Sequence, residues 1–393
     1  AEHFYSAGNP PHTTHTRHSM GNLTELITQD SPIVNLIYDW WKKMGDSEPT
    51  RGYLGASSIG HECERALWYA FRGCVKPEFN GRMYRLFDTG KREEARFVME
   101  LRAIGCEVIE FDEDKNQISV SAFGGHFGGH MDGVVLGVPE AEKTWHNAEF
   151  KTHSSKSFSD LKKNGVKKSK PQHYAQIQIY MGLGKLERAL YLARNKDTDE
   201  LYAERVRFDS TEFKRLMEKA ERIIRAPMAP DRLASRPDDF RCKTCDAHGL
   251  CWGMGETAVP IPCKTCKTCC HSTPEMTGEK SWSCKNGNTA GIITDFNGCN
   301  SHLLLPCLIT FADPVDAGED WIEFKNRDDG AVWRHGSKAG QWTTEELIKA
   351  LGPLVGEKAL TSTKDIFEAE ITGIETPPLM DRYPAEDSRL LFD

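Results

Sequence analysis

His130-Met131-Asp132-Gly133-Val134-Val135 and, a short way on, Asn147-Ala148-Glu149-Phe150-Lys151-Thr152 carry the reading on which the fold turns. Both are short apolar, β-branched runs punctuated by glycine or polar residues, which predicts two neighbouring strands. Side chains alternate faces along a strand, so Glu149 and Lys151 share one face while Phe150 turns to the core. If the strands pair as a hairpin, Asp132 sits beside them. Two carboxylates and a backbone carbonyl make a hard oxygen site suited to Mg²⁺ or Mn²⁺, and an adjacent ammonium can orient or deprotonate a water there. That donor set suits phosphodiester hydrolysis. An E-x-K alone is better explained by an exposed cross-strand charge pair than by catalysis, so the surrounding elements must decide.

Working outward, Ser31-Pro32 followed by Ile33, Leu36, Ile37, Trp40, Trp41 and Met44 predicts an amphipathic helix. Further helices are expected over 62–71 and 90–104, the latter with Phe97, Val98 and Leu101 inward and Gly105 as its stop. The segments 106–111, 118–122, 130–138 and 144–151 read as one antiparallel meander. A helix over 171–181, strands over 189–193 and 204–208, and a helix over 211–225 complete the pattern. Pro227, Pro230 and Pro237 break it.

Four elements in this order resemble the PD-(D/E)XK nuclease superfamily. Asp132 and Glu149-Phe150-Lys151 match its active site. Gly90-Lys91-Arg92-Glu93-Glu94 resembles its G-x-x-x-E/H element, with Glu94 in the metal-coordinating slot where many relatives use His. Gln176-Ile177-Gln178-Ile179-Tyr180 has the Q-x-x-x-Y spacing of the RecB-like branch, with Gln176 and Tyr180 on one helical face towards DNA or the active site. The resemblance implies an α/β (α+β) restriction-endonuclease-like core, a mixed sheet flanked by helices. It also implies Mg²⁺ or Mn²⁺ held by Glu94, Asp132, Glu149 and the carbonyl of Phe150, with Lys151 acting on the attacking water. Lys162, Lys163, Lys167, Lys168 and Lys170 are expected in a flexible basic loop that holds DNA phosphates. His130 is expected to pack on its strand or face DNA.

Thirteen cysteines are unevenly placed, ten of them between Cys242 and Cys307. Cys242-x2-Cys245-x5-Cys251 supplies three thiolates, and a metal centre wants a fourth. In iron-sulfur members of the RecB-like nucleases a lone upstream cysteine completes a [4Fe-4S] cluster. Cys63, in Gly60-His61-Glu62-Cys63-Glu64-Arg65, resembles it. Zinc in the same four sulfurs would do the same mechanical job of clasping the two ends of the domain. Downstream, Cys263, Cys266, Cys269, Cys270, His271, Cys284, Cys299 and His302 exceed the needs of one tetrahedral ion. Cys266, Cys269, Cys284 and Cys299 are the preferred Zn²⁺ set, with Cys263 as a substitute for one of them. Cys74 and Cys106 read as buried apolar thiols.

At 393 residues the chain has room for two or three domains, and its 39% hydrophobic and 27% charged content excludes wholesale disorder. A net charge of −8 confines any DNA site to a local patch. The expected organisation is a flexible or artificially appended tail over 1–21, holding His3, His12, His15 and His18, a nuclease domain over 22–253, a cysteine-rich zinc module over 254–307 and a small appendage over 308–393. The terminal Ser388-Arg389-Leu390-Leu391-Phe392-Asp393 resembles a clamp-binding peptide, although a frayed end explains it too. The function implied is a DNA exonuclease acting on linear ends in phage or bacterial recombination, repair or DNA processing, with a recombination or replication protein as partner. A structure-specific endonuclease and a non-catalytic DNA-binding scaffold are the alternatives. No run reaches the roughly 18 apolar residues of a membrane span, and clustered cysteines without a signal-peptide pattern point to a reducing, cytoplasmic setting.

Overall fold

The computed structural model describes residues 31–48, 51–255, 257–286, 290–351 and 354–355. The expected tail at 1–21 and the Leu-Phe terminus lie outside them. The described residues divide into two compact units, and residues 31–48 with 79–89 make the first. There, helix α1 (Pro32–Asp46) starts at the anticipated Ser31-Pro32. Its apolar stripe stays in solvent instead of packing inward, with Ile33, Leu36, Ile37, Trp40 and Met44 all exposed. Asp46 at its end accepts a 2.9 Å hydrogen bond from the Tyr84 hydroxyl.

The second unit opens with β1 (Leu54–Gly55), α2 (Glu64–Phe71) and α3 (Gly81–Ala103), whose first turns belong to the other unit. Then come β2 (Glu107–Ile109), β3 (Ser119–Ala122), β4 (Phe127–His130), β5 (Gly133–Leu136) and β6 (His146–His153). Helices α4 (Ser155–Ser169) and α5 (Pro171–Gly184) lead to β7 (Arg188–Asn195), β8 (Leu201–Arg207) and α6 (Ser210–Arg225). The central sheet has the order β2-β5-β6-β7-β8. Only β6 and β7 run parallel, because the α4–α5 crossover returns the chain to the same end of the sheet. The expected single meander is therefore corrected: β3 and β4 leave it to pair with each other and, through β4, with β1.

Both faces of this sheet are covered. Phe97, Val98 and Leu101 of α3 pack on Val108, Val135, Phe150 and Leu190. Tyr174, Ile177 and Met181 of α5 pack on Ala189, Tyr191 and Ala193 of β7. Phe150 and Glu149 thus face opposite layers, as strand alternation requires. The lysine segment is a second correction. It forms α4, kinked at Gly165, and Lys162, Lys167 and Lys170 are ion-paired with Glu200, Asp209 and Asp160.

Beyond α6 lie α7 (His248–Trp252), the sheet β9 (Ser272–Pro274), β10 (Trp282–Cys284), β11 (Gly291–Ile292), a second sheet β12 (Ala312–Ala317), β13 (Trp321–Asn326), β14 (Val332–Gly336), and α8 (Thr344–Lys349). One hydrophobic cluster runs from Leu54, Trp68, Phe71 and Phe127 through Leu216 and Ile223 to Trp282, Leu304, Phe324, Trp333 and Trp342. Arg72, 2% exposed, sits between the rings of Trp68 and Trp282 at 5.4 and 5.0 Å. It donates to the carbonyls of Lys267 and Ala226. Residues 254–355 thus share a core with the central sheet's partners.

Candidate active site

Asp132 falls in the bend between β4 and β5, not on a strand. Its Oδ2 accepts a 2.8 Å hydrogen bond from the Phe150 N–H, which fixes the carboxylate against β6. Glu149 and Lys151 project from one face of β6. Lys151 Nζ is ion-paired with Glu149 Oε1 and stands 4.0 Å from Asp132 Oδ2. From α3, Glu94 comes close enough to feel the charges of Asp132 and Lys151, and it lines a cleft with Gly90, Glu93, Phe150, Lys151 and Thr152. The neighbouring Glu93 is engaged by Arg194 at 2.6 Å. Glu94, Asp132, Glu149, Phe150 and Lys151 therefore come together from separate parts of the chain. His130 lies at the exposed end of β4, opposite Ser119.

Burial pushes the Glu149 carboxyl up to about 7 against the pull of Lys151. Burial, and then the charge of Asp132, raises Glu94 to about 7 as well. For Lys151, burial works downward, but Glu149 and Asp132 outweigh it and hold the ammonium above its usual range. One fixed cation thus faces three carboxyls, a balance that favours more positive charge. Glu149 Oε2 is buried and has no hydrogen-bond partner among the described residues, where one is normally found. An orphaned carboxylate oxygen in a hard-oxygen donor set fits Mg²⁺ or Mn²⁺. Among the described residues, no group of three or more His, Cys, Asp or Glu side chains is placed to hold a metal ion as it stands.

Gln176 and Tyr180 of α5 share a face, and Gln176 Nε2 donates to the Tyr180 hydroxyl at 3.3 Å. They are 7% and 3% exposed, so they back the acid cluster and do not present a surface to DNA. Burial and then the charge of Glu149 push the Tyr180 hydroxyl upward, keeping it neutral. Sequence reasoning missed a second polar group on this face. His153 continues the Glu149, Lys151 alternation, and its Nε2 lies 2.9 Å from the Tyr191 hydroxyl. His173, one turn before Gln176, places Nδ1 at 2.9 Å from that hydroxyl. The period-two and i, i+3 spacings were available as signals.

The cysteines converge in two places. Cys63, Cys242, Cys245 and Cys251 line one pocket with His61, Arg65, Tyr69 and Trp252. Cys63 caps α2, its sulfur accepting from Ala66 N at 3.4 Å. Cys266, Cys269, Cys284 and Cys299 form the other group. Burial, and then the nearby thiols of Cys269, Cys299 and Cys284, push the Cys266 thiol up to about 11. Cys263 is exposed, and Cys74 and Cys106 are buried.

No family model matches the chain, and no curated protein matches it. Among solved structures it is similar to LHK-Exo, an alkaline exonuclease from Laribacter hongkongensis, at 15% identity and a TM-score of 0.31, over 47% of this chain and 90% of that one. The same enzyme in complex with dAMP gives 15% and 0.32 over the same shares. SSO0001 gives 15% and 0.32 over 56% of this chain and 95% of its own. Likeness at these scores does not assign the chain to a family. Among the described residues no helix is long and apolar enough to cross a membrane.

Proposed function

We propose that this chain is a metal-dependent deoxyribonuclease of the PD-(D/E)XK type, an exonuclease hydrolysing phosphodiester bonds from DNA ends. The observation that supports the reading is the meeting of Glu94, Asp132, Glu149 and Lys151 around a buried, unpartnered carboxylate oxygen. Glu94, Asp132, Glu149 and the Phe150 carbonyl would hold Mg²⁺ or Mn²⁺, which when bound supplies Lewis-acid polarisation of the phosphate and a more acidic water. The chain's own part is positional. Asp132 is held in place by the Phe150 N–H, Lys151 keeps its proton at Nζ to orient the nucleophile and meet developing phosphorane charge, and Tyr180 shields Glu149 from water.

Cys63, Cys242, Cys245 and Cys251 are proposed as [4Fe-4S] ligands, and Cys266, Cys269, Cys284 and Cys299 as a structural Zn²⁺ set. Anaerobically purified protein should then be brown with about four irons per chain. Colourless protein carrying only zinc would refute the iron assignment. For the activity, linear and covalently closed DNA are incubated with Mg²⁺ or Mn²⁺. Linear DNA should be degraded without sequence preference and closed circles spared. Glu149→Gln and Lys151→Ala should each cost at least a hundredfold in rate, about 2.7 kcal/mol or more. Linearised circles would favour an endonuclease, and binding without cleavage a scaffold.

A further inference from the structure

The His153, His173 and Tyr191 group is not needed to hold a metal, yet it sits beside Lys151. Four elements build it. Ser157 Oγ on α4 lies 3.2 Å from His153 Nδ1 on β6. His153 Nε2 and His173 Nδ1 both reach the Tyr191 hydroxyl on β7 at 2.9 Å. The two imidazoles stack with centroids 5.8 Å apart. Tyr191 has a single proton to give, so one imidazole accepts from it and the other donates. Every ring nitrogen is thereby assigned a partner except His173 Nε2, which has none among the described residues. His153 is 7% exposed and Tyr191 fully buried, whereas His173 is partly open to solvent. A buried chain thus aims one free nitrogen outward.

Its surroundings say what it would meet. Burial, reinforced by the charges of Lys151 and Lys170, lowers His173 to about 3, so the ring is neutral at pH 7. A neutral imidazole within the field of Lys151 and Lys170, themselves paired with Glu149 and Asp160, can meet an anion as a hydrogen-bonding group that adds no charge of its own. His153, which shares the Tyr191 hydroxyl with His173, lies two residues beyond Lys151 on the same face of β6, one strand repeat of about 6.6–6.8 Å from the lysine. His173, Gln176 and Tyr180 also form one stripe of α5 at i, i+3 and i+7, so His173 continues the line that begins beside Glu149.

We propose that His173 Nε2, aimed by Tyr191 and His153 and flanked by Lys170, contacts the nucleic-acid backbone phosphate next to the one at Lys151. This rests on the nuclease reading of the same cleft. His153 and Tyr191 are positioning residues in it, and His173 is the contact.

The test is equilibrium binding of the whole protein to a short linear duplex with Ca²⁺, a single uncharged methylphosphonate being walked along one strand. In the wild type, one position should weaken binding about tenfold, or 1.4 kcal/mol. His173→Ala should bind the unmodified duplex about tenfold more weakly and show no further loss at that position, while sensitivity elsewhere is unchanged. Tyr191→Phe, which keeps the imidazole but removes its orienting hydroxyl, should give part of the loss at the same position. Thermal melting checks both variants, and His173→Gln replaces His173→Ala if the latter does not fold. A folded His173 variant with the wild-type pattern at every position overturns the proposal. Because binding is read without turnover, a His173-dependent signal in a protein that cleaves nothing would refute the nuclease reading alone, and cleavage with no such signal would refute the His173 contact alone.

Discussion

Glu94 and Glu149 both hold their protons to about pH 7, and that shift has a consequence for stability as well as chemistry. In the unfolded chain each carboxyl titrates near 4.5. Between that value and about 7 the folded form binds more protons, so the contribution is fully present below about pH 4.5 and is lost as pH rises through 7. Removing one acid should relieve this. Glu94→Gln is expected to melt higher than the wild type at pH 8 in EDTA, by on the order of 1–2 kcal/mol after allowance for its partial exposure, and the gain should vanish at pH 4. The same variant should lose cleavage by two or more orders of magnitude. A melting difference that is equal at both pH values would show that the shift is absent. For activity the sign is reversed: a cation competes with protons for these oxygens, so the rate at limiting Mg²⁺ should fall as pH drops below about 7.

At the scale of elements, the position of α5 against β4 decides whether Tyr180 can sit beside Glu149. A Cβ built on Gly129 of β4 would lie 2.6 Å from the Tyr180 hydroxyl oxygen and 3.1 Å from Cε1. The backbone at Gly129 is not left-handed, so the demand for glycine is steric. Gly129→Ala should therefore destabilise the protein by about 1–3 kcal/mol and slow cleavage. Adding Tyr180→Phe, which removes the clashing oxygen, should restore most of the melting temperature. Failure of the second change to rescue the first would mean that α5 does not rest on β4 in this way. The contrast shows what the sequence could reveal. Glu149 and Lys151 were legible because two residues on one strand always share a face, and Gln176 and Tyr180 because i, i+4 always does on a helix. Strand partnership is not local, so the departure of β3 and β4 to β1 could not be read from alternation. The helical state of the lysine segment was hidden by Gly165, whose φ of 70° interrupts it, and by a buried set of only Phe158, Leu161 and Val166. His153 and His173 became visible as a pair only once β7 brought Tyr191 between them.

For the second compact unit as a whole, the central question is whether its part up to residue 253 can stand without residues 254–355. Composition changes sharply after Pro237, which predicts a boundary near 253 and again near 307. The packing joins across both. Trp282 stacks on Phe71 with centroids 5.5 Å apart, meets His126 edge-on at 5.7 Å, and closes the far side of the Arg72 guanidinium. Leu303, Leu304, Leu305 and Leu308 are all buried in the same cluster as Trp68 and Ile223. Removing that cover would expose Phe71 and Trp68, and leave a guanidinium that is now 2% exposed without one of its carbonyl partners and one of its aromatic walls. The guanidinium would be rehydrated, but each large apolar side chain uncovered forfeits about 1.5–3 kcal/mol, and several such losses together rival the roughly 5–15 kcal/mol by which domains are usually stable. A chain ending at residue 253 is accordingly expected to be insoluble or molten, whereas one ending at 355 should retain a cooperative fold. Within the full chain, Trp282→Ala should lower stability by about 3–5 kcal/mol, and hydrogen exchange should report the loss in β6 and α2 as well as in β9 and β10. If only β9 to β11 lost protection while β6 kept its own, the cysteine-rich segment would be a separate folding unit.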